Sequence, residues 1–75
     1  MIEIGQVEQL LAVSKYGTLS KAAEALHISQ PALSRAMQKL EEELQVPIFD
    51  REKNRITLNA TGKVAVDYAQ KVLFS

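Results

Sequence analysis

Residues 18–35 read TLSKAAEALHISQPALSR, and the spacing of their small, apolar and capping residues decides how the chain folds. Thr18 offers a side-chain oxygen to cap a helix over Leu19–Leu26, on which Ala22, Ala23 and Leu26 make a small face suited to close packing. His27, Ile28 and Ser29 form a three-residue turn. Ser29 is placed to cap the next helix, and Pro31 falls in its first turn, where a missing N–H leaves no helical bond unmade. Leu33, Met37, Leu40 and Leu44 then recur at four, three and four residues, one inward stripe of a helix over about residues 30–44.

The flanks extend this pair of helices in both directions. Upstream, Ile4, Val7, Leu10, Leu11 and Val13 have the spacing of an amphipathic helix that runs from Ile4 to Tyr16 and stops at Gly17. Downstream, Pro47 disfavours helix in the residue before it, and residues 48–51 read as a short strand. Residues 52–54 make a polar turn, and residues 55–58 alternate, so that Ile56 and Leu58 face inward and Arg55 outward. A last helix, from about Asn59 or Thr61, carries two apolar stripes, Val64-Tyr68-Val72 and Ala65-Ala69-Leu73. That face is wider than so small a domain needs, which points to pairing with another chain. The predicted fold is mainly α: three helices and a two-stranded wing over residues 1–58, then a linker and dimerisation helix over residues 59–75.

Composition bounds the rest. The 75 residues suffice for one domain, and a unit of this size buries only about 60% of its unfolded surface. With no cysteine and a lone His27 there is no disulfide framework and no metal cage, and no cofactor is expected. No apolar run approaches a membrane span and the N-terminus lacks a signal-peptide layout, so the expectation is a cytoplasmic protein without a membrane partner. An enzyme is not expected, because the chain offers no nucleophile-base pair, metal-ligand spacing or Gly-rich phosphate loop.

The helix over residues 30–44 leaves Gln30, Ser34 and Gln38 in one outward row, with Pro31 and Arg35 beside it. Those residue types suit base edges in a major groove: arginine donates twice to guanine, glutamine pairs with adenine, serine serves either, and the Pro31 ring fits a thymine methyl. Unpaired N–H groups at the start of the helix let Ser29 and Gln30 meet a phosphate or a groove. Nine basic and nine acidic residues give zero net charge, so a nucleic-acid reading depends on distribution. Arg35, Lys39, Arg51, Lys53 and Arg55 gather between residues 35 and 55, whereas Glu41, Glu42 and Glu43 read as solvated carboxylates splayed to different faces, and His27 as a solvated turn residue. Tyr68, in line with Val64 and Val72, reads as a packing or dimer residue.

Residues 18–35, with Leu40-Glu41, Pro47-Ile48-Phe49-Asp50-Arg51 and Ile56-Thr57-Leu58 through Gly62, resemble the DNA-binding domain of LysR-type transcriptional regulators. The resemblance covers nearly the whole chain. It implies a winged helix-turn-helix, sequence-specific binding of double-stranded DNA for bacterial transcription regulation, and a homodimer through the last helix. It also implies a small-molecule effector domain after that helix, beyond residue 75. By resemblance Gln30, Pro31, Ser34 and Arg35 fall where the family touches bases, and Arg51, Lys53 and Arg55 near phosphates or the minor groove. With Gln38 from the outward row, the expected base contacts are five. Thr18, Ser29 and Lys39 join the expected backbone contacts.

Three departures stand out. Gln45 replaces the glycine that usually ends the recognition helix, and a left-handed cap there is strained, so that helix is expected to end differently or continue. Asn59 and Ala60 replace a common threonine and proline, with Asn59 still able to cap. Leu10 and Leu19 stand where phenylalanine is frequent. A second reading stays open: a helical protein-interaction module without DNA binding, slightly favoured by zero net charge. Duplex binding that weakens steeply with salt separates the two.

Overall fold

Backbone N–H groups at the helix starts find the partners that the sequence provides. In the computed structural model, which describes residues 2–53 and 55–74, Gln6 Oε1 accepts from Glu3 N at 2.9 Å as α1 (Ile4–Tyr16) opens. Lys21 N donates to Thr18 Oγ1 at 3.1 Å at the start of α2 (Leu19–Leu26). Ala32 N donates to Ser29 Oγ at 3.2 Å at the start of α3 (Gln30–Leu44). Gly62 N donates to Asn59 Oδ1 at 2.8 Å in the first turn of α4 (Ala60–Phe74). Each expected cap is formed.

The helix ends use left-handed backbone. Gly17 closes α1 at φ 90°, and His27 closes α2 at φ 59°. Gln45 closes α3 at φ 61°, with its N–H on Glu41 O at 2.8 Å. The expectation that α3 would end otherwise is therefore corrected: glutamine takes the glycine's conformation. Left-handed backbone costs a non-glycine residue about 1–2 kcal/mol. The reversal at Gln45 brings Ile48 N and Phe49 N to Glu41 Oε2, at 2.8 and 3.3 Å. Hydrogen bonds to a charged group contribute about 1.5–3 kcal/mol each, enough to offset that strain.

Glu41 itself departs from its reading as a solvated carboxylate. Its side chain is only 16% exposed and also takes Arg51 Nη2 on Oε1 at 3.0 Å. Glu42 and Glu43 are exposed, as expected.

The strands β1 (Phe49–Glu52) and β2 (Arg55–Leu58) pair antiparallel, with Phe49 opposite Leu58 and Glu52 opposite Arg55. The first strand thus starts one residue later than expected. Ile48 stays out of the strand because its N–H goes to Glu41, although its carbonyl still accepts from Asn59 N at 3.0 Å in the register of the ladder. Glu52 belongs to the strand rather than the turn; Lys53 turns at φ 37°, and Asn54 lies outside the described residues.

Leu10 and Val13 of α1, Leu19, Ala22 and Ala23 of α2, and Leu33, Met37 and Leu40 of α3 form the core. Ile48, Phe49 and Val66 close it, and Ile56, Leu58 and Leu44 pack against its edge. Ala22 and Ala23 have no bulk beyond Cβ, which lets α2 lie close to both neighbours. Ile4 and Leu26, expected on inward faces, are exposed instead: Ile4 opens α1 and Leu26 ends α2, beyond the reach of the packed middle turns.

Gly62 determines how α4 sits. A Cβ there would run into the Ile48 carbonyl oxygen and stand 2.8 Å from Leu58 Cδ2, so only glycine allows the first turn of α4 this near the wing. Beyond it Val66 reaches the core, while Val64, Tyr68 and Val72 stand outward at 69, 70 and 61% exposure. Gly62→Ala is expected to lower stability by about 1–3 kcal/mol, since backbone rather than a flexible side chain must yield. A urea midpoint equal to that of the parent chain would show that the approach tolerates a methyl group.

Candidate nucleic-acid interface

The outward face of α3 is built by elimination. Leu33, Met37 and Leu40 turn one side of the helix into the core, and what remains is polar. Gln30, Pro31, Arg35, Gln38 and Lys39 are exposed. Ser34 is half-buried, one turn from Met37 and at the border between the outward row and the inward stripe. The five expected base-contact residues thus share one ridge, with Ser34 on its flank.

Two grooves run along the ridge. On one side Gln30 faces Thr18, Ser20 and Lys21 from the start of α2, together with Arg55 and Ile56 of β2. This groove holds two cationic side chains and no carboxylate. The unpaired N–H groups at the start of α2 add partial positive charge. On the other side Arg35, Lys39, Ala32 and Ala36 face Gln6 and Gln9 of α1, with Glu3 as the one carboxylate lining the groove. Among the described residues no carboxylate forms an ion pair with Lys21, Arg35, Lys39 or Arg55.

The expected backbone contacts separate into groups. Ser29 is exposed at the tip of α3, and Lys39 lies four residues beyond Arg35 on the same flank. Lys53 and Arg55 stand exposed at the end of the wing. Thr18 is 9% exposed, and its hydroxyl forms the α2 cap at the floor of the first groove. Arg51 points to the far end of α3, where it pairs with Glu41, so its charge is already met within the chain. Thr18 therefore lines the groove beside Gln30 from below, whereas Arg51 stands apart from the ridge.

Lys21 and Ser20 escaped the sequence reading. Their position on the outward side of α2, opposite Ala22 and Ala23, was legible. That β2 packs against α2, and so brings Arg55 opposite Lys21, is a tertiary contact that no local pattern encodes. The zero net charge is resolved by the same placement: cations gather near the ridge, while Glu42 and Glu43 lie toward the opposite end of α3. Among the described residues no helix is long and apolar enough to cross a membrane.

Known proteins share this arrangement. Residues 4–63 match the model of the family described as bacterial regulatory helix-turn-helix protein, lysR family. The chain is 40% identical over 70 residues to a protein of Emiliania huxleyi named "Probable RuBisCO transcriptional regulator", covering 93% of this chain and 22% of that one. It is 39% identical over 72 residues to the HTH-type transcriptional regulator TfdT of Cupriavidus pinatubonensis, covering 96% of this chain and 32% of the relative. The chain therefore spans between about a fifth and a third of the length of these relatives. Among solved structures it superimposes on the CbnR DNA-binding domain in complex with DNA, with a TM-score of 0.86 and 36% identity, over 96% of this chain and 83% of the other. With 60 of its residues under the family model and the same winged helix-turn-helix in three dimensions, this chain belongs to the LysR family of bacterial regulatory helix-turn-helix proteins.

Proposed function

We propose that this chain binds double-stranded DNA sequence-specifically and serves bacterial transcription regulation, with α3 in the major groove and the wing on the backbone or minor groove. The observation that carries this reading is the exposed ridge of Gln30, Pro31, Arg35 and Gln38, flanked by Ser34 and by a groove that pairs Lys21 with Arg55. A helix of this width fits a major groove, and the ridge offers donors and acceptors without a carboxylate to repel phosphate. The likeness to a domain solved on DNA supports the same orientation.

In this reading Arg35, Gln30, Ser34, Gln38 and the Pro31 ring meet base edges. Ser29, Lys39, Lys53 and Arg55 meet phosphates or the minor groove, with Lys21 added and Thr18 acting through its cap. Arg51 acts on the wing rather than on DNA. The outward stripe of α4, Val64, Tyr68 and Val72, is covered by a second copy, so residues 59–75 link and dimerise while residues 1–58 read DNA. A two-fold pair of α3 ridges then meets successive major grooves. A small-molecule effector acts through a further domain, and the DNA ligand locates the protein in the cytoplasm.

The test starts from a duplex selected out of a random-sequence library. Arg35→Ala is expected to weaken binding to it by about 1–3 kcal/mol and to relax base preference at one position. Equal loss on every sequence refutes the base-reading role. Arg55→Ala is expected to weaken all duplexes alike and reduce the slope of log affinity against log salt by about one. An unchanged slope removes the wing from the phosphate backbone. A chain whose duplex affinity shows no dependence on salt is a protein-interaction module instead.

A further inference from the structure

Given the DNA-binding reading above, we propose that Glu41 is a positioning residue for DNA affinity: from the far end of α3 its carboxylate sets where the wing carries Arg55. Oε2 takes the N–H groups of Ile48 and Phe49, and Oε1 takes Arg51 Nη2. One side chain therefore holds β1 at two places, its start and its third residue. Residues 48 and 51 are about 10 Å apart along an extended strand, so the attachment fixes direction as well as position. Arg51 lies opposite Ile56 in the ladder, and Ile56 is joined to Arg55. Moving Arg51 therefore moves Arg55.

The other directional restraints, from Asn59 to the Pro47 and Ile48 carbonyls, lie at the base of the wing and do not reach Arg51. Phe49, Ile56 and Leu58 hold the wing by apolar packing, which opposes separation more than rotation. Lys53 at the tip and the exposed outer residues Asp50 and Arg55 add no hydrogen bond to the rest of the chain among the described residues. The bonds from Ile48 N and Phe49 N are part-buried, where electrostatic attraction is less screened, while the Arg51 pair stands nearer to solvent, with Arg51 41% and the Glu41 side chain 16% exposed. Arg55 and Gln30 share one groove across from this anchor, so the distance between wing and ridge that a duplex must match is set partly by a residue that need not touch DNA.

A double-mutant cycle on the selected duplex tests this, with Glu41→Gln, Arg55→Ala and the pair measured over a range of salt. Glutamine keeps an acceptor but removes the charge that holds Arg51. Coupling is expected: where Arg55→Ala weakens the parent chain about tenfold, it weakens the Glu41→Gln chain less than about threefold. Glu41→Gln alone is expected to lower the salt slope by about one while leaving base preference unchanged. Thermal unfolding checks that the variant is folded; if it is not, Arg51→Gln replaces it in the same cycle and is expected to show the same coupling. Additive effects in the folded variant overturn the positioning role. A parent chain without salt-dependent duplex binding overturns the DNA reading and this inference with it, a result distinct from additivity.

Discussion

The structure depends on how three peptide units, Pro47 to Phe49, are held between the recognition helix and everything that follows it. Glu41 accepts the N–H groups of Ile48 and Phe49, while Asn59 donates its side-chain amide to Pro47 O at 3.1 Å and its backbone N–H to Ile48 O. Donors face α3 and acceptors face α4. Buried or half-buried backbone needs partners, and here the partners are the elements that must be oriented. Ile48 is meanwhile fully buried, so the same residue locks the core and the junction.

Asn59 connects this junction to the last helix. Its Oδ1 caps α4 through Gly62 N, and its amide nitrogen reaches back to Pro47. A threonine at this place carries one hydroxyl for both tasks, whereas asparagine has a separate acceptor and donor. Gly62 then allows the close approach that the cap requires. The direction in which Val64, Tyr68 and Val72 point is thus fixed by residues on the other side of the wing.

Elements with a local cause were legible in the sequence. The caps at Thr18, Ser29 and Asn59, the stop at Gly17, and the stripe Leu33-Met37-Leu40 follow from short-range spacing, and the structure contains each. What was missed has a tertiary cause. Glu41 read as one of three solvated carboxylates because its partners are seven to ten residues away across a turn. Nothing in the neighbours of Arg51 announces its pairing with Glu41. The cap at Gln45 donates its N–H to the backbone carbonyl of Glu41, and the reversal it makes is what brings the Glu41 carboxylate to Ile48 and Phe49. Within the candidate site, the ridge was read from helix periodicity, and the convergence of Lys21 with Arg55 required the packing of β2 on α2.

A neutral domain is thereby given a polarised surface: Lys21, Arg35 and Arg55 gather about the N-terminal half of α3, and Glu42 and Glu43 lie beside Lys39 toward its other end. Local field rather than net charge governs how a polyanion is met. The most direct test is an amide chemical-shift map of the labelled chain as a selected duplex is added. Shifts concentrated at residues 18–21, 29–39 and 53–56, with the α4 stripe little changed, are the expected result. Shifts centred on α4 or on residues 41–47, with the α3 ridge silent, contradict the assignment of that ridge as the reading surface.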